Sequence, residues 1–226
     1  NSAKKYNSDI AIGQIKFLIG NKKVENNNLK KEKYEGKEII DEVLAKYLGN
    51  SKNNITSSVN RTLYRKELLE QYNIKFCSEK VFWSEDLLFN IDVISKCKKI
   101  SIVKDVFYYY NDENMDSMTR RYDKTRFSRN KLLEKEVNRK LKELGLYEKM
   151  KSGSAWIFLG NVRACIKQEK FNEKNIAIKN IKKICEDSQV REDLKIKMKK
   201  TLKQNIFDML IRAKKNKILY YIAKIM

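Results

Sequence analysis

The hydrophobic pattern of this 226-residue chain changes at about residue 124, and that change limits the folds it can adopt. Before it, β-branched and partly alternating apolar segments are interleaved with segments of helical spacing. After it the strand signals stop, and only long helical patterns follow. Interleaved strands and helices are typical of α/β folds. We therefore predict an α/β domain over residues 1–123 and an all-α basic domain over residues 124–226.

The spacing of apolar residues also predicts the individual elements. In the first domain we expect strands at 10–19 and 100–110, a loop at 21–33, and helices at 38–48, 62–72 and 84–97. Ser84 is the candidate N-cap of the last of these helices. In the second domain we expect four helices, at 126–144, 147–168, 173–186 and 191–225.

The positive charge is concentrated in the second domain. Residues 1–123 carry 22 basic and 18 acidic side chains, whereas residues 124–226 carry 28 basic and 11 acidic ones. Such an asymmetry predicts an anionic partner for the second domain, either a membrane surface or nucleic acid, unless the lysines only form a solvated surface.

Several kinds of chemistry are excluded by composition. The chain has no histidine, which removes Ser-His-Asp and Cys-His catalysis and histidine metal sites. The four cysteines do not have the two-residue spacing of zinc ribbons or thioredoxin motifs. A long chain with few cysteines fits a reducing cytoplasm, and no apolar run reaches the length of a membrane-spanning helix.

Two adjacent carboxylates, Glu85 and Asp86, open the predicted helix that follows Ser84. Acidic residues at this position are commonly structural, because the helix dipole and free backbone N–H groups stabilise them. The same surroundings would keep Asp86 ionised at neutral pH. An ionised carboxylate at the edge of a cleft can accept a proton from a hydroxyl group, so Asp86 is also a candidate general base.

Residues 58–119 resemble the second half of the catalytic domain of bacterial family-2 glycosyltransferases, which have the GT-A fold. The matching segments, in the order in which the family has them, are SVNRTLYRKELLEQYNIKF, SEDLLFNIDVISKCKKI and SIVKDVFYYYNDENMDSMT. The similarity extends weakly back to residues 9–13. It implies a partial GT-A-like mixed sheet with helices, and an inverting transfer of a sugar from a nucleotide-sugar donor to a hydroxyl acceptor in cell-surface polysaccharide or glycolipid synthesis.

The resemblance also implies roles for particular residues. Asp86 corresponds to the general base, and Glu85 would orient the start of the helix or bind an acceptor hydroxyl. Side chains between 60 and 65 would line the sugar pocket, and side chains between 117 and 121 would lie near the donor diphosphate. These substrate-binding candidates are Asn60, Arg61, Tyr64, Arg65, Ser117, Arg120 and Arg121. The arginines suit phosphate because a guanidinium group donates two hydrogen bonds at once.

The chain departs from the family in what precedes the matched region. The nucleotide-binding units and the metal-binding Asp-x-Asp signature are missing, and the carboxylates of residues 112–116 are interpreted as a turn. We therefore expect a divalent cation, Mg²⁺ or Mn²⁺, in the complete enzyme but none on this fragment, and no turnover by the fragment alone. The chain begins with Asn1 and not with methionine, which agrees with a missing upstream half.

The end of the chain has the pattern of an amphipathic helix. Apolar residues on one helical face are flanked by lysines; they are Phe207, Leu210, Ile211, Ile218, Tyr221, Ile222 and Ile225. Such a stripe is typical either of a core helix or of a helix lying on an anionic membrane. We thus expect a cytoplasmic protein that can meet the inner face of the membrane through residues 207–226.

Two other classes of function remain open. One is a non-catalytic basic helical module that binds nucleic acid or an anionic membrane surface; interleaved acidic residues and the lack of a known nucleic-acid signature argue against nucleic acid. The other is an interaction domain that keeps a decayed glycosyltransferase scaffold.

Overall fold

The computed structural model describes residues 2–17, 23–25, 29–49, 55–110 and 121–225. The strands are β1 (Ile10–Phe17), β2 (Lys23–Glu25), β3 (Lys33–Glu35), β4 (Thr62–Tyr64) and β5 (Lys99–Tyr110). The first helices are α1 (Ser2–Tyr6), a π-helix (Ile39–Leu44) that continues into α2 (Ala45–Tyr47), a 3-10 turn (Val59–Arg61), α3 (Lys66–Gln71) and α4 (Glu85–Lys96). The later helices are α5 (Arg126–Glu143), α6 (Tyr147–Gln168), a 3-10 turn (Glu169–Phe171), α7 (Lys174–Glu186), α8 (Ser188–Lys195), α9 (Leu202–Arg212) and α10 (Asn216–Ile225).

The strands form one mixed sheet with β1 and β5 at its centre. These two strands are parallel, β3 pairs antiparallel with β5, and β2 and β4 pair antiparallel with successive parts of β1. The structure therefore confirms the predicted mixed α/β class, with helices alone after residue 121 in the part of the chain that it describes.

Most of the predicted elements are confirmed, and three are corrected. The predicted helix 62–72 begins only at Lys66, because Thr62–Tyr64 extend along β1 as strand β4. The predicted loop 21–33 contains strand β2. The predicted helix 191–225 is divided into α8, α9 and α10: Thr201 starts α9 with a capping box, and Lys214 adopts a positive φ of 52° between α9 and α10.

Two clusters of buried apolar side chains form the cores. The first joins the sheet and α4 to three residues of α5 (Leu133, Val137 and Leu141) and to Met150 of α6. The second begins at Phe158 of α6 and takes in α7 to α10. Helix α6 thus contributes to both cores, and the domain boundary near residue 124 stays a prediction. None of the helices in the described ranges is long and apolar enough to cross a membrane.

A buried acidic pair links α5 to α8. Glu134 and Asp193 are 4% and 8% exposed, and Gln189 donates a hydrogen bond to Oε2 of Glu134. Burial, followed by the hydrogen bond and negative charge of Asp193, raises the pKa of Glu134 above its ordinary value of 4.5. Folded Glu134 therefore retains a proton that the unfolded residue loses above that pH.

This proton predicts how stability depends on pH. Above pH 4.5, folded Glu134 holds a proton that the unfolded residue has lost. The free energy of unfolding should therefore fall as pH rises from about 5 to about 8. Glu134→Gln replaces the protonated carboxyl group with a neutral amide, so the decrease should be smaller, by up to about 1.4 kcal/mol per pH unit. Urea unfolding across this range measures both slopes, and equal slopes would contradict the assignment.

Candidate functional site

The candidate site is built around the first turn of α4. Glu85 and Asp86 are the first two residues of this helix, and Ser84 is at its N-cap position. The Ser84 side chain does not cap the helix; its hydroxyl group lies 3.3 Å from that of Ser57, within hydrogen-bond distance. The two serines join the start of α4 to the segment that leads into the 3-10 turn.

The Asp86 carboxylate is half-buried and faces that 3-10 turn. Its Oδ2 atom accepts a hydrogen bond of 3.3 Å from the backbone N–H of Val59. Burial raises the pKa of Asp86 above its ordinary value, the Val59 hydrogen bond opposes this increase, and the charge of Glu85 adds to it. A raised pKa makes the ionised carboxylate a stronger proton acceptor.

One turn further along the same face of α4, a fully buried asparagine fixes the helix in place. Asn90 accepts a 2.8 Å hydrogen bond from the Tyr64 hydroxyl and donates one of 2.7 Å to the Ser57 carbonyl. Residues four apart share a helix face, so Asp86 and Asn90 both contact residues 57–64. Burial raises the pKa of Tyr64, which keeps its hydroxyl protonated as a donor.

The 3-10 turn is in turn anchored to the central strand. Arg61 is 0% exposed, and its Nε donates a 2.9 Å hydrogen bond to the carbonyl of Gly13 in β1. A Cβ atom at Gly13 would lie 2.4 Å from the Phe107 ring, so only glycine fits beside that ring. The β1–β5 register shifts at the same place, between the pairs of Ile12 and Gln14.

Two arginines of α5 hold the loop that precedes α4. The guanidinium carbons of Arg126 and Arg129 lie 4.3 Å and 5.1 Å from the centre of the Trp83 ring, within the range of cation–π contacts. Arg129 also donates to the Phe82 carbonyl at 3.2 Å and pairs with Asp123 at 3.0 Å. The position of Trp83 therefore depends on the start of α5.

A cavity of about 460 Å³ opens beside this helix start, between the two parts of the chain. Its wall combines polar side chains with two indole rings. The lining residues are Tyr47, Gly49, Ile55, Thr56, Ser57, Trp83, Ser84, Leu87, Trp156, Ile157 and Asn161. Asp86 is not among these residues, but it shares the first turn of α4 with Ser84. Its hydrogen-bond donor, Val59, lies two residues after Ser57.

The structure brings some of the predicted site residues together and separates others. Asp86, Glu85 and the exposed Asn60 lie around the start of α4 and the 3-10 turn, and Arg61 is buried beneath that turn. The Arg65 side chain instead donates hydrogen bonds to the Ser8 carbonyl, at 2.9 Å from Nη2, and to the Asn7 side chain at 2.7 Å.

Arg65 thus contributes to a separate cavity of about 250 Å³ near the N-terminal residues, which Tyr64 also lines. Arg121 is exposed shortly before α5. Ser117 and Arg120, the remaining predicted residues, lie outside the described residues.

Several residues of the site were missed by the sequence reasoning. Asn90 and Ser57 connect α4 to the 3-10 turn, and Trp83 and Trp156 supply the aromatic wall of the cavity. One signal was available for Asn90: it is a polar residue four positions after Asp86 in an otherwise apolar helix face. Trp156 lies 70 residues after Asp86, and no local pattern connects the two.

The described residues do not supply a metal site. Nowhere in the described ranges do three or more Cys, Asp or Glu side chains form a group that could hold a metal ion. The carboxylates of residues 112–116 lie outside those ranges. The divalent cation that the resemblance implies therefore stays an expectation for the complete enzyme.

Comparison with known proteins adds one structural similarity. No family model matches the chain, and no curated protein matches it in sequence. The chain is similar to crystal structures of S. aureus TarS residues 1–349, in complex with UDP-GlcNAc (TM-score 0.46, 16% identity) and with UDP (TM-score 0.35, 15% identity). The match covers 99% of this chain and 60% and 59% of the two TarS chains. TM-scores this low do not establish a shared fold.

The buried hydrogen bonds of Asn90 predict a large effect of its removal. Asn90→Ala leaves the Tyr64 hydroxyl and the Ser57 carbonyl without these partners, which should lower the free energy of unfolding by about 1–3 kcal/mol. The control is Asn60→Ala at an exposed position, where we expect a change within about 0.5 kcal/mol. Urea unfolding compares the two variants. Similar stabilities would show that Asn90 does not fix α4.

Proposed function

We propose that this chain is part of an inverting glycosyltransferase, which moves a sugar from a nucleotide-sugar donor to a hydroxyl acceptor in cell-surface polysaccharide or glycolipid synthesis. The observation that carries the proposal is the half-buried Asp86 carboxylate at the start of α4, next to a cavity with polar and aromatic walls. The motif order of residues 58–119 supports the same class of enzyme. The activity is proposed for the complete enzyme, with this chain supplying the acceptor side.

Asp86 would act as the general base. In a single displacement, the acceptor oxygen attacks the anomeric carbon from the face opposite the departing nucleoside diphosphate, so the proton acceptor must be on the attacking side. A carboxylate whose pKa is raised by burial accepts that proton more readily. The Val59 N–H stabilises the ionised form, and Glu85 would orient the helix start or bind a second acceptor hydroxyl.

The cavity beside α4 has the chemistry expected of an acceptor site. Ser57, Ser84, Thr56 and Asn161 can exchange hydrogen bonds with sugar hydroxyl groups, since their side chains both donate and accept. Trp156 and Trp83 add aromatic surface to the cavity wall, and the Trp83 ring also carries the guanidinium groups of Arg126 and Arg129. The volume of about 460 Å³ is within the range of roughly 300–1,000 Å³ that small-molecule sites occupy.

The donor side of the proposal rests on the resemblance alone. Ser117, Arg120 and Arg121 would lie near the donor diphosphate, with Mg²⁺ or Mn²⁺ held by the donor-binding half of the complete enzyme and not by this chain. Asn60 is exposed beside Val59 and is free to contact a sugar, whereas Arg61 and Arg65 would act by fixing the backbone that they hydrogen-bond.

Substitution of the proposed base tests the function. In the complete enzyme, Asp86→Asn should lower kcat by about 10²–10⁴-fold, because the amide cannot take the acceptor proton. Folding and nucleotide-sugar binding should be retained. Release of nucleoside diphosphate from a panel of nucleotide-sugars with saccharide acceptors measures the rate, and isothermal titration measures donor binding.

The matched control is Asp92→Asn, the same chemical change in the same helix at a residue that pairs with Lys140 of α5. This variant should retain most of the activity. Normal turnover by Asp86→Asn would exclude Asp86 as the base. A complete enzyme that folds but turns over none of the donors would instead favour the decayed scaffold.

A second candidate function, binding to an anionic membrane surface, is supported by the last two helices. Leu202 and Met209 of α9 are 75% and 58% exposed, and Ile218 and Tyr221 of α10 are 47% and 50% exposed. After Asp193 the only acidic residue is Asp208, which is buried, so the surrounding charges are lysines and one arginine. Exposed apolar residues among cations favour a lipid surface over nucleic acid.

The stripe predicted at residues 207–226 is divided between core and surface. Phe207 and Ile211 of the stripe are buried in the second core, whereas its residues Ile218, Tyr221 and Ile225 in α10 are exposed. The residues that α10 buries in that core, Leu219 and Tyr220, lie outside the predicted stripe. Removal of residues 207–226 would therefore unfold part of the core, so membrane binding has to be tested with substitutions of exposed residues.

A further inference from the structure

A second large cavity lies in the helical part of the chain, between α6, α9 and α10. Its volume is about 490 Å³. It is lined by Trp156, Gly160, Arg163, Ala164, Lys167, Lys203, Gln204, Ile206, Phe207 and Ile222. Within the described part of the chain, Trp156 is the one side chain that lines both this cavity and the cavity beside α4.

The side of α6 that lines the cavity carries small residues, which leave space between α6 and the helices α9 and α10. Gly160 and Ala164 are four positions apart and lie on one face of the helix with Trp156. A Cβ atom at Gly160 would meet only the Nη2 atom of Arg163, at 3.8 Å, so a larger side chain has room to extend there. The other helices contribute apolar side chains to the cavity wall, Phe207 of α9 and Ile222 of α10.

The same cavity is positively charged. Three cations and no acidic residue occur among its lining residues. Arg163 pairs with the buried Asp208 at 2.8 Å, and Asp208 also pairs with Lys200 at 2.6 Å, so one carboxylate faces two cations. Neither Lys167 nor Lys203 has a salt bridge to any residue in the described part of the chain.

We propose that this cavity binds one acyl chain of an anionic membrane phospholipid, with the phosphate between Lys167 and Lys203. The apolar walls suit a hydrocarbon chain, and the excess positive charge selects a negatively charged head group. Leu202 and Met209 are exposed on the same helix as Lys203, and in the proposed complex they would supply an apolar contact to the bilayer. The inference does not depend on sugar transfer.

Fluorescence of Trp156 tests for the acyl chain directly. The chain contains two tryptophans, so Trp83→Phe leaves Trp156 as the only indole. Vesicles of phosphatidylglycerol with brominated acyl chains should reduce Trp156 emission at least about twofold, because bromine quenches at short range. Brominated phosphatidylcholine, with the same chains and a neutral head group, should quench much less.

A variant that fills the cavity separates binding from folding. Gly160→Leu, added to Trp83→Phe, should abolish quenching, because its side chain occupies the space of the acyl chain. Its Tm should not fall, since replacing a glycine inside a helix stabilises the helix. Gly160→Ala is the control, which gains the same helix stabilisation, leaves most of the cavity open and should still be quenched.

The head-group contact is tested by charge removal. Lys167→Gln and Lys203→Gln should each weaken co-sedimentation with phosphatidylglycerol vesicles about fivefold. Lys182→Gln and Lys183→Gln, at exposed positions of α7 outside the cavity lining, are the matched controls and should have smaller effects.

Four results would overturn the proposal. Three of them are an absence of quenching by brominated phosphatidylglycerol, equal quenching in Gly160→Leu, and equal effects of the two lysine pairs. Self-association without lipid that Gly160→Leu abolishes would also overturn it, because a second copy of the chain would then occupy the cavity. Loss of sugar transfer in Asp86→Asn has no bearing on these measurements.

Discussion

The hydrogen bonds of Asn90 are the contact on which the candidate site depends. They tie the second turn of α4 to Tyr64 and to the Ser57 carbonyl, and the Asp86 bond to Val59 continues the contact at the first turn. A buried amide with both ends satisfied can hold only one relative position of the two segments. The backbone that donates a hydrogen bond to the Asp86 carboxylate is therefore held in one position, although the carboxylate itself is only half-buried.

This arrangement is supported from both parts of the chain. On one side, Arg61 joins the 3-10 turn to the central strand at Gly13. On the other side, Arg126 and Arg129 of α5 hold Trp83 immediately before α4. The cavity beside α4 is closed by Trp156 and Asn161 of α6, so the helical part forms a wall of the site. Helix α6 carries the second cavity as well, which places a proposed lipid site and a proposed acceptor site on either side of one tryptophan.

The sequence was sufficient for elements whose own pattern decides their structure. Strand β5 is rich in β-branched and aromatic residues, helix α4 has regular apolar spacing, and helices α5 to α7 carry long periodic patterns. The sequence was not sufficient where tertiary contacts determine the secondary structure. Thr62–Tyr64 have a pattern that is compatible with a helix, but pairing with β1 makes them a strand. The break between α9 and α10 lies at Lys214, a non-glycine residue at positive φ, which no propensity predicts. The start of α9 did have a local signal, the Thr201–Gln204 capping box.

The same distinction applies to the site. The adjacent Glu85 and Asp86 were visible because helix starts have a local signature. The cavity walls come from three separate segments, within residues 47–57, 83–87 and 156–161. The pKa of Asp86 is raised by burial, which depends on how the chain packs around the start of α4. Arg65 illustrates the reverse case: its guanidinium group suits a phosphate ligand, but its neighbours in the fold are the backbone of Ser8 and the side chain of Asn7.

The central claim is that Asp86 contacts the reacting hydroxyl group of an acceptor. The most direct measurement is a crystal structure of the complete enzyme with a nucleoside diphosphate and an acceptor saccharide bound. The account predicts an acceptor hydroxyl within about 2.6–3.2 Å of an Asp86 carboxylate oxygen, with the sugar in the cavity between Trp83 and Trp156. An acceptor bound elsewhere, with Asp86 contacting only the Val59 backbone, would contradict it.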